Sequence, residues 1–577
     1  MKTEPDPRPG EDQPTRGDAL NSNDLTSPAV SGLTILAVLA TVAGVALRFW
    51  PRSGLWLDEA LSVNIAALPF SDMVEALRHD GHPPLYYLML HYWMGLFGDS
   101  DWAVRALSGV FSTASIPLAY VAGRRLATRR PSARLGSHRV GLITAAVVAT
   151  MPYAIRYGAE TRMYSLVMLL VLTGYLLADE LLTPPSRVSD HVVSDESGSN
   201  TTRRSALLVI GTALNSAALL YSHYWAMWLL GAVGILALST MWVRRNDSDR
   251  GASWRGPIRL IIGLVLGGLL YLPWLPVMAY QASHTGTPWG DKFGPVSVVV
   301  ITLVDFAGGR FGVAQFFSYF LVMAAVGAAV VSIRSAVSAD EQELVVEGHF
   351  HPRIRPELTV VALTMALGWA AAAASGNTFS SRYAAVVFPL VVMVVAAGLA
   401  VIRSPRATLV LVTAICAMGL LGSVQSARGD RSQNGELTDA IASDWSAHKG
   451  PAVVIACPDQ LGVSLQRELT RRVDLARATG PVIPFPTAGD PDFVDWVDYA
   501  ERNQAADPAK FLELISNKLT SETTIYLVSS GQYRTMEGKC EQLAADLAVT
   551  HPSDVLVDMS TIGLDEAASL RVFRPAE

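Results

Sequence analysis

"SGLTILAVLATVAGVALRFWPRSGLWLDEALS", residues 31–62, sets an unbroken apolar run against an adjacent acid pair, Asp58 and Glu59. About 20 apolar residues cross a bilayer as a helix, so 31–50 reads as a membrane span that ends just before the acids. A carboxylate pair at the edge of a membrane must be solvated, paired or put to use. Working outward from this stretch, the same apolar pattern recurs along the chain. Half of the 577 residues are hydrophobic and 17% are charged, with a mean hydropathy of +0.31. The pattern predicts a polytopic α-helical membrane protein of about eleven spans, near 31–50, 103–122, 140–153, 163–179, 205–221, 225–242, 259–280, 314–333, 358–375, 383–402 and 407–425.

The loops sort by charge. "GRRLATRRPSARLGSHR" (123–139) carries six arginines and no acid. "VRRNDSDRGASWRGPIR" (243–259) and "RSPRA" (403–407) are also basic, which assigns them to the cytoplasm. The mixed-charge loops 180–204 and 334–357 fall on the same side. The opposite side then holds 51–102, "MPYAIRYGAETRM" (151–163), "YSHYW" (221–225), 281–313, "SGNTFSSR" (375–382) and the tail from 428. Asp58, Glu59, His82, Arg156, Glu160, Arg162, His223, Arg310 and Arg382 all lie there. Snorkelling at span ends explains single charges. A one-sided set that includes carboxylates and histidines points to a site on that face.

Three regions follow. Residues 1–30 are polar and Pro-rich, lack the basic-then-apolar plan of a signal peptide, and read as a disordered cytoplasmic tail. Residues 31–427 form the membrane domain. Its first outer loop holds two interfacial helices. "ALPFSDMVEALRH" (67–79) is amphipathic, with Met73, Val74 and Leu77 on one face and Ser71 or Asp72 able to cap its start. The second, after the turn at Gly81, Pro83 and Pro84, is rich in aromatic residues. Tyr86, Tyr87, Tyr92 and Trp93 fit an interfacial aromatic belt. Residues 428–577 change composition: "PAVVIACPDQ" (451–460) and "TTIYLVSSG" (523–531) read as strands, "LGVSLQRELTRR" (461–472) and "GKCEQLAADLA" (538–548) as helices. They predict a small α/β domain outside the membrane. Cys457 and Cys540 fall in it, either as a disulfide or as two buried thiols.

"LWLDEALS" (55–62), "HPPLYYLMLHYW" (82–93), "LFGDSDWAVRALSGVFSTASIPLAYVAGRRL" (96–126), "YGAETRMYSL" (157–166), "YSHYWAMW" (221–228), "YLPWLPV" (271–277) and "SRYAAVVFPL" (381–390) occur in that order. As an ordered set they resemble the bacterial family 39 glycosyltransferases of the GT-C superfamily, related to protein O-mannosyltransferases and aminoarabinose transferases. The resemblance covers about 30–425; beyond 428 only "ACPDQLG" (456–462) matches, loosely. It implies a GT-C-like membrane fold, a plasma-membrane location, an active site outside the membrane, and a sugar donor carried on a polyprenyl phosphate. The acceptor would be a glycan, a lipid or a protein. By resemblance the sugar is mannose first and arabinose second. Membrane lipids are the surroundings, and no nucleic-acid partner is expected.

Such a transfer needs a base for the acceptor hydroxyl and cations for the leaving phosphate. The family's acidic motif falls on Asp58–Glu59. Asp58 is assigned as the base. Glu59, about 100° around a helix from it, is left to acceptor binding or an internal ion pair. Glu160 and Tyr164 share a helix face, with Arg162 free to turn toward the phosphate; alternatively Glu160 pairs with Arg156. Arg382 and Tyr383, at the N-terminal end of a span, form either a phosphate cradle or a membrane anchor. His82 and His223, with Asp58 or Glu160, have the chemistry to hold a divalent metal, although a lipid monophosphate donor requires none. No nucleophile elbow or phosphate-binding loop occurs. Two other readings remain open at this point. One is a transporter or flippase of lipid-linked sugars, which would show internal repeats and charges at mid-span. The other is a non-catalytic scaffold, against which the retained Asp58 argues.

Overall fold

A computed structural model describes residues 28–51, 53–128, 136–183, 196–246, 250–286, 293–308, 313–337, 344–350, 354–375, 378–402, 404–560 and 564–575. Most of the N-terminal tail, parts of the basic loops and Arg310 lie outside them.

The expected spans fall on helices, except that 314–333 ends in strand at 331–333. They are α1 (Pro28–Arg48), α5 (Asp101–Thr128), α6 (Ser137–Thr150), α8 (Tyr164–Leu182), α9 (Glu196–Leu220), α10 (Ala226–Val243), α11 (Arg250–Tyr271), α14 (Val313–Val330), α15 (Arg355–Ser375), α16 (Phe388–Val401) and α17 (Pro405–Arg428). Among the described residues seven helices are long and apolar enough to cross a membrane, and an eighth is a bent pair. The remaining helices of this domain are α2 (Leu57–Ala67), α3 (Phe70–Asp80), α4 (Leu85–Phe97) and α13 (Pro295–Phe306), together with α7 (Pro152–Gly158), the second half of the bent pair, and α12 (Leu275–His284), the end of the apolar stretch Ser253–His284. Strands β1 (Val331–Val337) and β2 (Leu344–Phe350) pair antiparallel.

The bent pair corrects the reading of 151–163 as a loop. Pro152 has no N–H to offer the carbonyl of Val148, so α6 stops and the chain turns by 56° into α7. The freed carbonyls are taken up by Arg48, whose guanidinium donates to Val148 O at 2.9 Å, Ala149 O at 2.7 Å, Gly44 O at 2.8 Å and Ser112 Oγ at 2.7 Å. A cation on helix C-terminal carbonyls is also favoured by the helix dipole. Gly44 permits this approach, since a Cβ there would lie 2.0 Å from Ala149 O.

The first loop folds as three helices, α2, α3 and α4, one more than the two expected, because the acid pair starts a helix of its own. In α3, Met73 and Leu77 are buried while Val74 is half-buried. Neither Ser71 nor Asp72 caps it, because Pro69 holds the N-cap position. Its end is a left-handed Gly81 (φ 87°) whose N–H returns to Leu77 O at 3.1 Å. In α4, Tyr86 and Tyr87 are 1% exposed, so these two do not belong to an aromatic belt. Their hydroxyls have partners inside the protein, on Ser108 Oγ and Asp80 Oδ2, which a belt position would leave in the interface. Tyr92 remains exposed.

After α17 come α18 (Asn434–His448), β3 (Ala452–Cys457), α19 (Gly462–Thr470), α20 (Val473–Thr479), β4 (Ile483–Pro484), α21 (Tyr499–Ala505), α22 (Pro508–Leu514), β5 (Thr524–Ser529), α23 (Lys539–Ala548), β6 (Ser553–Val557) and β7 (Ser569–Phe573). The strands form one sheet in the order β4-β3-β5-β7-β6. β3 runs parallel to β4 and β5, and β7 antiparallel to β5 and β6. All six residues of β3 are buried, as a Val/Ile-rich central strand with helices on both faces requires. Cys457 and Cys540 are joined in a disulfide, and Cys416 is a buried free thiol.

This sheet domain docks on the first-loop helices. Arg467 Nη2 meets Asp101 Oδ1 at 3.0 Å and Asp99 O at 2.6 Å, and Asn64 Nδ2 donates to Asp492 O at 2.8 Å. Trp496 N donates to His79 O at 3.1 Å, and Asp498 N to His284 O at 2.9 Å. These contacts put the tail at the same end of the helices as α2. The charge of the loops predicts that this end faces outward. In intact cells, cysteine at Ser380 should then react with a membrane-impermeant maleimide while cysteine at Ser137 stays unlabelled. The native cysteines do not interfere, being disulfide-bonded or buried. Equal labelling of the two would overturn this orientation.

Candidate active site

α2 begins at Leu57, so Asp58 and Glu59 both occupy its first turn and leave the helix in different directions. Glu59 points inward and is fully buried. It takes a two-pronged contact from Arg105 of α5, Nε to Oε1 at 2.7 Å and Nη2 to Oε2 at 2.5 Å. Thr161 N donates to the same Oε1 at 3.0 Å. Arg105 also donates to Ser53 O and Gly54 O at 2.6 and 2.9 Å, fixing the approach to α2. Burial works against this carboxylate, but Arg105, Arg431 and the Thr161 N–H outweigh it and hold Glu59 below its usual pKa. Of the two roles open to Glu59 in the sequence, the geometry is that of the internal ion pair, and Glu59 does not share Asp58's surroundings.

Asp58 faces a different set of partners. Arg382 Nη1 donates to Oδ2 at 2.6 Å, and Arg162 Nη2 stands 3.9 Å from the same oxygen. Arg162 is a hub: it reaches Asp58 O at 3.4 Å, Ser62 Oγ at 3.1 Å, Tyr87 Oη at 3.4 Å and His82 Nε2 at 2.9 Å. His82 Nδ1 lies 2.9 Å from Asp80 Oδ2, which also accepts from Tyr87 Oη at 2.8 Å. The result is a continuous hydrogen-bonded and ion-paired line, Asp80–His82–Arg162–Asp58–Arg382, in which a neutral His82 donates from Nδ1 to Asp80 and accepts at Nε2 from Arg162. Burial would raise the Asp58 pKa, but Arg162, Arg382 and His82 overcome it and hold the carboxyl below its ordinary value.

His223, Tyr164 and Tyr383 form the aromatic side of the site. The His223 ring packs 5.7 Å from Tyr164 and 5.6 Å from Tyr383. Its Nδ1 accepts from Trp225 N at 3.1 Å, which fixes the imidazole as a neutral Nε2–H donor. Burial, reinforced by His82, Arg162 and Arg382, pushes its pKa down to about 3. Among the described residues neither Arg382 Nε nor the Tyr164 hydroxyl has a hydrogen-bond partner, though both are buried.

Glu160 and Arg156 belong to a second network. Arg431, from the segment after α17, places Nη1 3.2 Å from Glu160 Oε2 and 3.8 Å from Glu59 Oε2. Arg156 Nε is 3.8 Å from Glu160 Oε2, and its Nη2 donates to Asp565 Oδ1 at 3.0 Å. Burial raises the Glu160 pKa despite Arg431 and Arg156. Glu160 therefore sits among arginines on the tail side, and because α8 begins only at Tyr164, Glu160 lies in the turn before it and shares no helix face with Tyr164. A cavity of about 1450 Å³ adjoins this network, lined among others by Tyr153, Tyr157, Arg156, Ser381 and Arg431. Asp58, Arg162 and Arg382 do not line it.

These placements do not fit a metal held by His82, His223, Asp58 and Glu160. Among the described residues no three His, Cys, Asp or Glu side chains gather as ligands. Glu160 is held by Arg431, His82 lies between Asp80 and Arg162, and the Asp58 charge is already met by two guanidiniums. The sequence does not point to Asp80, Arg105 or Arg431 as site residues, and it places Tyr87 in an aromatic belt instead. The acid, histidine and tyrosine spacing of "DGHPPLYY" was the available signal for Asp80 and Tyr87. Arg105 and Arg431 had none, since each meets its carboxylates only across the fold.

No protein-family model matches the chain, and no curated protein matches it in sequence. Solved structures do. ArnT from Cupriavidus metallidurans in the apo state superposes with a TM-score of 0.56 at 14% identity, covering 95% of this chain and 98% of that one. ArnT bound to undecaprenyl phosphate gives 0.53 at 12% identity over 94% and 98%. The oligosaccharyltransferase of Archaeoglobus fulgidus is more distant, with a TM-score of 0.42 at 13% identity over 94% and 74%. The likeness to ArnT runs through both the membrane helices and the tail, and it establishes the fold.

The buried pair yields a stability prediction. Glu59→Gln strands the Arg105 guanidinium, and removing one partner of a buried ion pair costs about 3–5 kcal/mol. The melting temperature of the full-length protein in detergent should fall markedly. Changing Glu59 to Leu and Arg105 to Met together should recover much of the loss. An unchanged melting temperature for Glu59→Gln would show that the pair does not hold the fold.

Proposed function

We propose that this GT-C-fold chain is an inverting glycosyltransferase that moves a sugar from a polyprenyl-phosphate donor to an acceptor hydroxyl at the outer face of the plasma membrane. The observation that carries the reading is Asp58, a partly exposed carboxylate with two guanidiniums converging on one of its oxygens. Both arginines approach Oδ2, which leaves Oδ1 for an acceptor hydroxyl. A base and a phosphate cradle within one side chain's reach are what a single displacement at an anomeric carbon requires.

In that reaction the acceptor oxygen gives its proton to Asp58 and bonds to the anomeric carbon from one face. The carbon–oxygen bond to the lipid phosphate breaks on the other face, and its electron pair stays on the phosphate. The configuration inverts. Arg382 and Arg162 take up the phosphate charge, and the unpartnered Arg382 Nε and Tyr164 hydroxyl are donors available to its oxygens. An arriving phosphate competes with Asp58 for the guanidiniums. Donor binding therefore frees the carboxylate and strengthens it as a base at the moment it is needed. With two guanidiniums at hand no divalent ion is called for. His223, neutral and wedged between Tyr164 and Tyr383, offers Nε2–H to a sugar hydroxyl. The sugar is mannose or arabinose by resemblance, and the acceptor a glycan, lipid or protein of the cell envelope. The disulfide in the tail agrees with an oxidising, extracytoplasmic side.

Turnover of radiolabelled polyprenyl-phosphate sugars by purified protein tests the reading. Asp58→Asn removes the base and should lower turnover by about 10²–10⁴-fold with donor binding retained on the same sample. Near-wild-type transfer by that variant would move the base elsewhere.

Arg382→Ala should weaken donor binding more than acceptor binding, and Arg382→Lys should restore part of it, as a point charge replaces the planar fork imperfectly. Unaltered donor affinity in Arg382→Ala would return Arg382 to a structural role.

The depressed Asp58 pKa sets the pH dependence. The free enzyme keeps its base ionised on the acidic side, so kcat/KM should hold level down to about pH 4, the ordinary carboxylate range. An acidic limb near neutrality would exclude Asp58 as the base.

A further inference from the structure

The turn that ends α3 carries two side chains to which the transfer chemistry gives no part, Asp80 and His82. α3 stops at a left-handed Gly81 (φ 87°), and the turn brings His82 Nδ1 to 2.9 Å from Asp80 Oδ2. A Cβ on residue 81 would lie 2.9 Å from Thr285 Oγ1, so the turn is seated directly against the end of α12. From α12, the buried Gln281 donates Nε2 to Leu77 O at 2.7 Å and to His82 O at 3.4 Å, one carbonyl on each side of Gly81. Its Oε1 accepts from the Tyr224 hydroxyl, which in turn accepts from Trp274 Nε1 at 3.1 Å. The amide is thereby fixed with its N–H groups on the turn. The tail holds the same turn from outside, where Trp496 N donates to His79 O at 3.1 Å.

On this seat Asp80 decides what His82 can do. A neutral imidazole has one N–H and one bare nitrogen. The Asp80 carboxylate, 7% exposed, takes the N–H at Nδ1 and also accepts from Tyr87 Oη at 2.8 Å. Nε2 is left bare, and only a bare nitrogen accepts from Arg162 Nη2, 2.9 Å away. In the other tautomer two N–H groups would face each other. Arg162 Nη2 carries two hydrogens. With one on His82, the other is left for Asp58 Oδ2, 3.9 Å away. Arg162 Nη1 rests meanwhile on Ser62 Oγ at 3.1 Å. A long, flexible side chain is so ordered before any phosphate arrives, and binding need not supply that ordering.

We propose that Asp80 is a positioning residue for the donor phosphate: by fixing the His82 tautomer it makes His82 hold Arg162 in the orientation that meets the phosphate. The proposal rests on the reading of Arg162 and Arg382 as the phosphate cradle. It makes His82 a link between Asp80 and Arg162 rather than a contact to the substrate.

The test measures binding of a polyprenyl monophosphate to the full-length protein in detergent, with the melting temperature read on the same preparations. Asp80→Ala should raise the dissociation constant about tenfold, on the scale of one hydrogen bond to a charged group. His82→Gln keeps an oxygen acceptor for Arg162 and should retain most of the affinity. His82→Ala should lose about as much as Asp80→Ala. His82→Lys, which sets a cation against Arg162, should lose most. The deciding comparison is the double variant. An amide oxygen has no tautomer to fix, so Asp80→Ala should cost little on top of His82→Gln, whereas independent effects would add. Where Asp80→Ala does not fold, Asp80→Asn carries the same cycle: it keeps an oxygen for Tyr87 but can turn an N–H toward His82 and admit the other tautomer. An undiminished loss from the Asp80 change in the His82→Gln background would overturn the proposal, since Asp80 would then act through Tyr87 or the fold. So would unaltered binding in Asp80→Ala, or equal losses in His82→Gln and His82→Lys. Transfer is read separately. A wild type that binds the lipid phosphate but moves no sugar ends the functional reading and leaves this comparison standing, and one that binds no lipid phosphate ends both.

Discussion

The Glu59–Arg105 ion pair is the contact on which the rest of the site depends. It is fully buried, two-pronged, and extended by Thr161 N on one side and by the Ser53 and Gly54 carbonyls on the other. It therefore joins three segments at once: the exit from α1, the first turn of α2 and the turn before α8. Because Glu59 is committed inward, its neighbour Asp58 is committed to a different direction. A buried pair of this kind contributes little net stability over an apolar replacement, but breaking half of it is costly. Its value here is directional.

Around Asp58 the ionisable groups are paired or bridged by hydrogen bonds, and this pairing explains why so many of them can share a small volume. Asp58 has two guanidiniums beside it, Asp80 accepts from His82 and Tyr87, and Arg162 joins the two sets. The arrangement leaves Asp58 ionised and its arginines poised to exchange one anion for another. A phosphate is the anion that two converging guanidiniums hold best. The same burial that would neutralise an isolated acid makes these pairings strong.

The membrane helices supply the frame. The broken α6–α7 pair brings Arg156 and the 159–163 turn beside the first loop, and the break is made tolerable by Arg48 filling the carbonyls that Pro152 leaves open. The tail closes the frame from the other side through Arg467 and Arg431. A loop of three short helices, held from below by Arg105 and from above by the sheet domain, is fixed more firmly than its own sequence would allow.

The amino-acid sequence by itself determined the spans, the interfacial helices of the first loop and the α/β character of the tail, because each follows from local apolar periodicity. It also determined that Asp58 and Glu59 diverge, since that is a property of the helix they start. It did not determine which acid would be buried. Arg105 lies 46 residues from Glu59, and Arg431 lies 271 residues from Glu160. No local pattern marks such partners, and a charge at a span end looks the same whether it snorkels or pairs. The buried Tyr86 and Tyr87 misled for the same reason: an aromatic helix at an interface fits a belt until the Ser108 and Asp80 acceptors are in place behind it. Partner choice among buried charges is set by which groups packing brings within a few ångströms, away from water. Only the tertiary structure decides that.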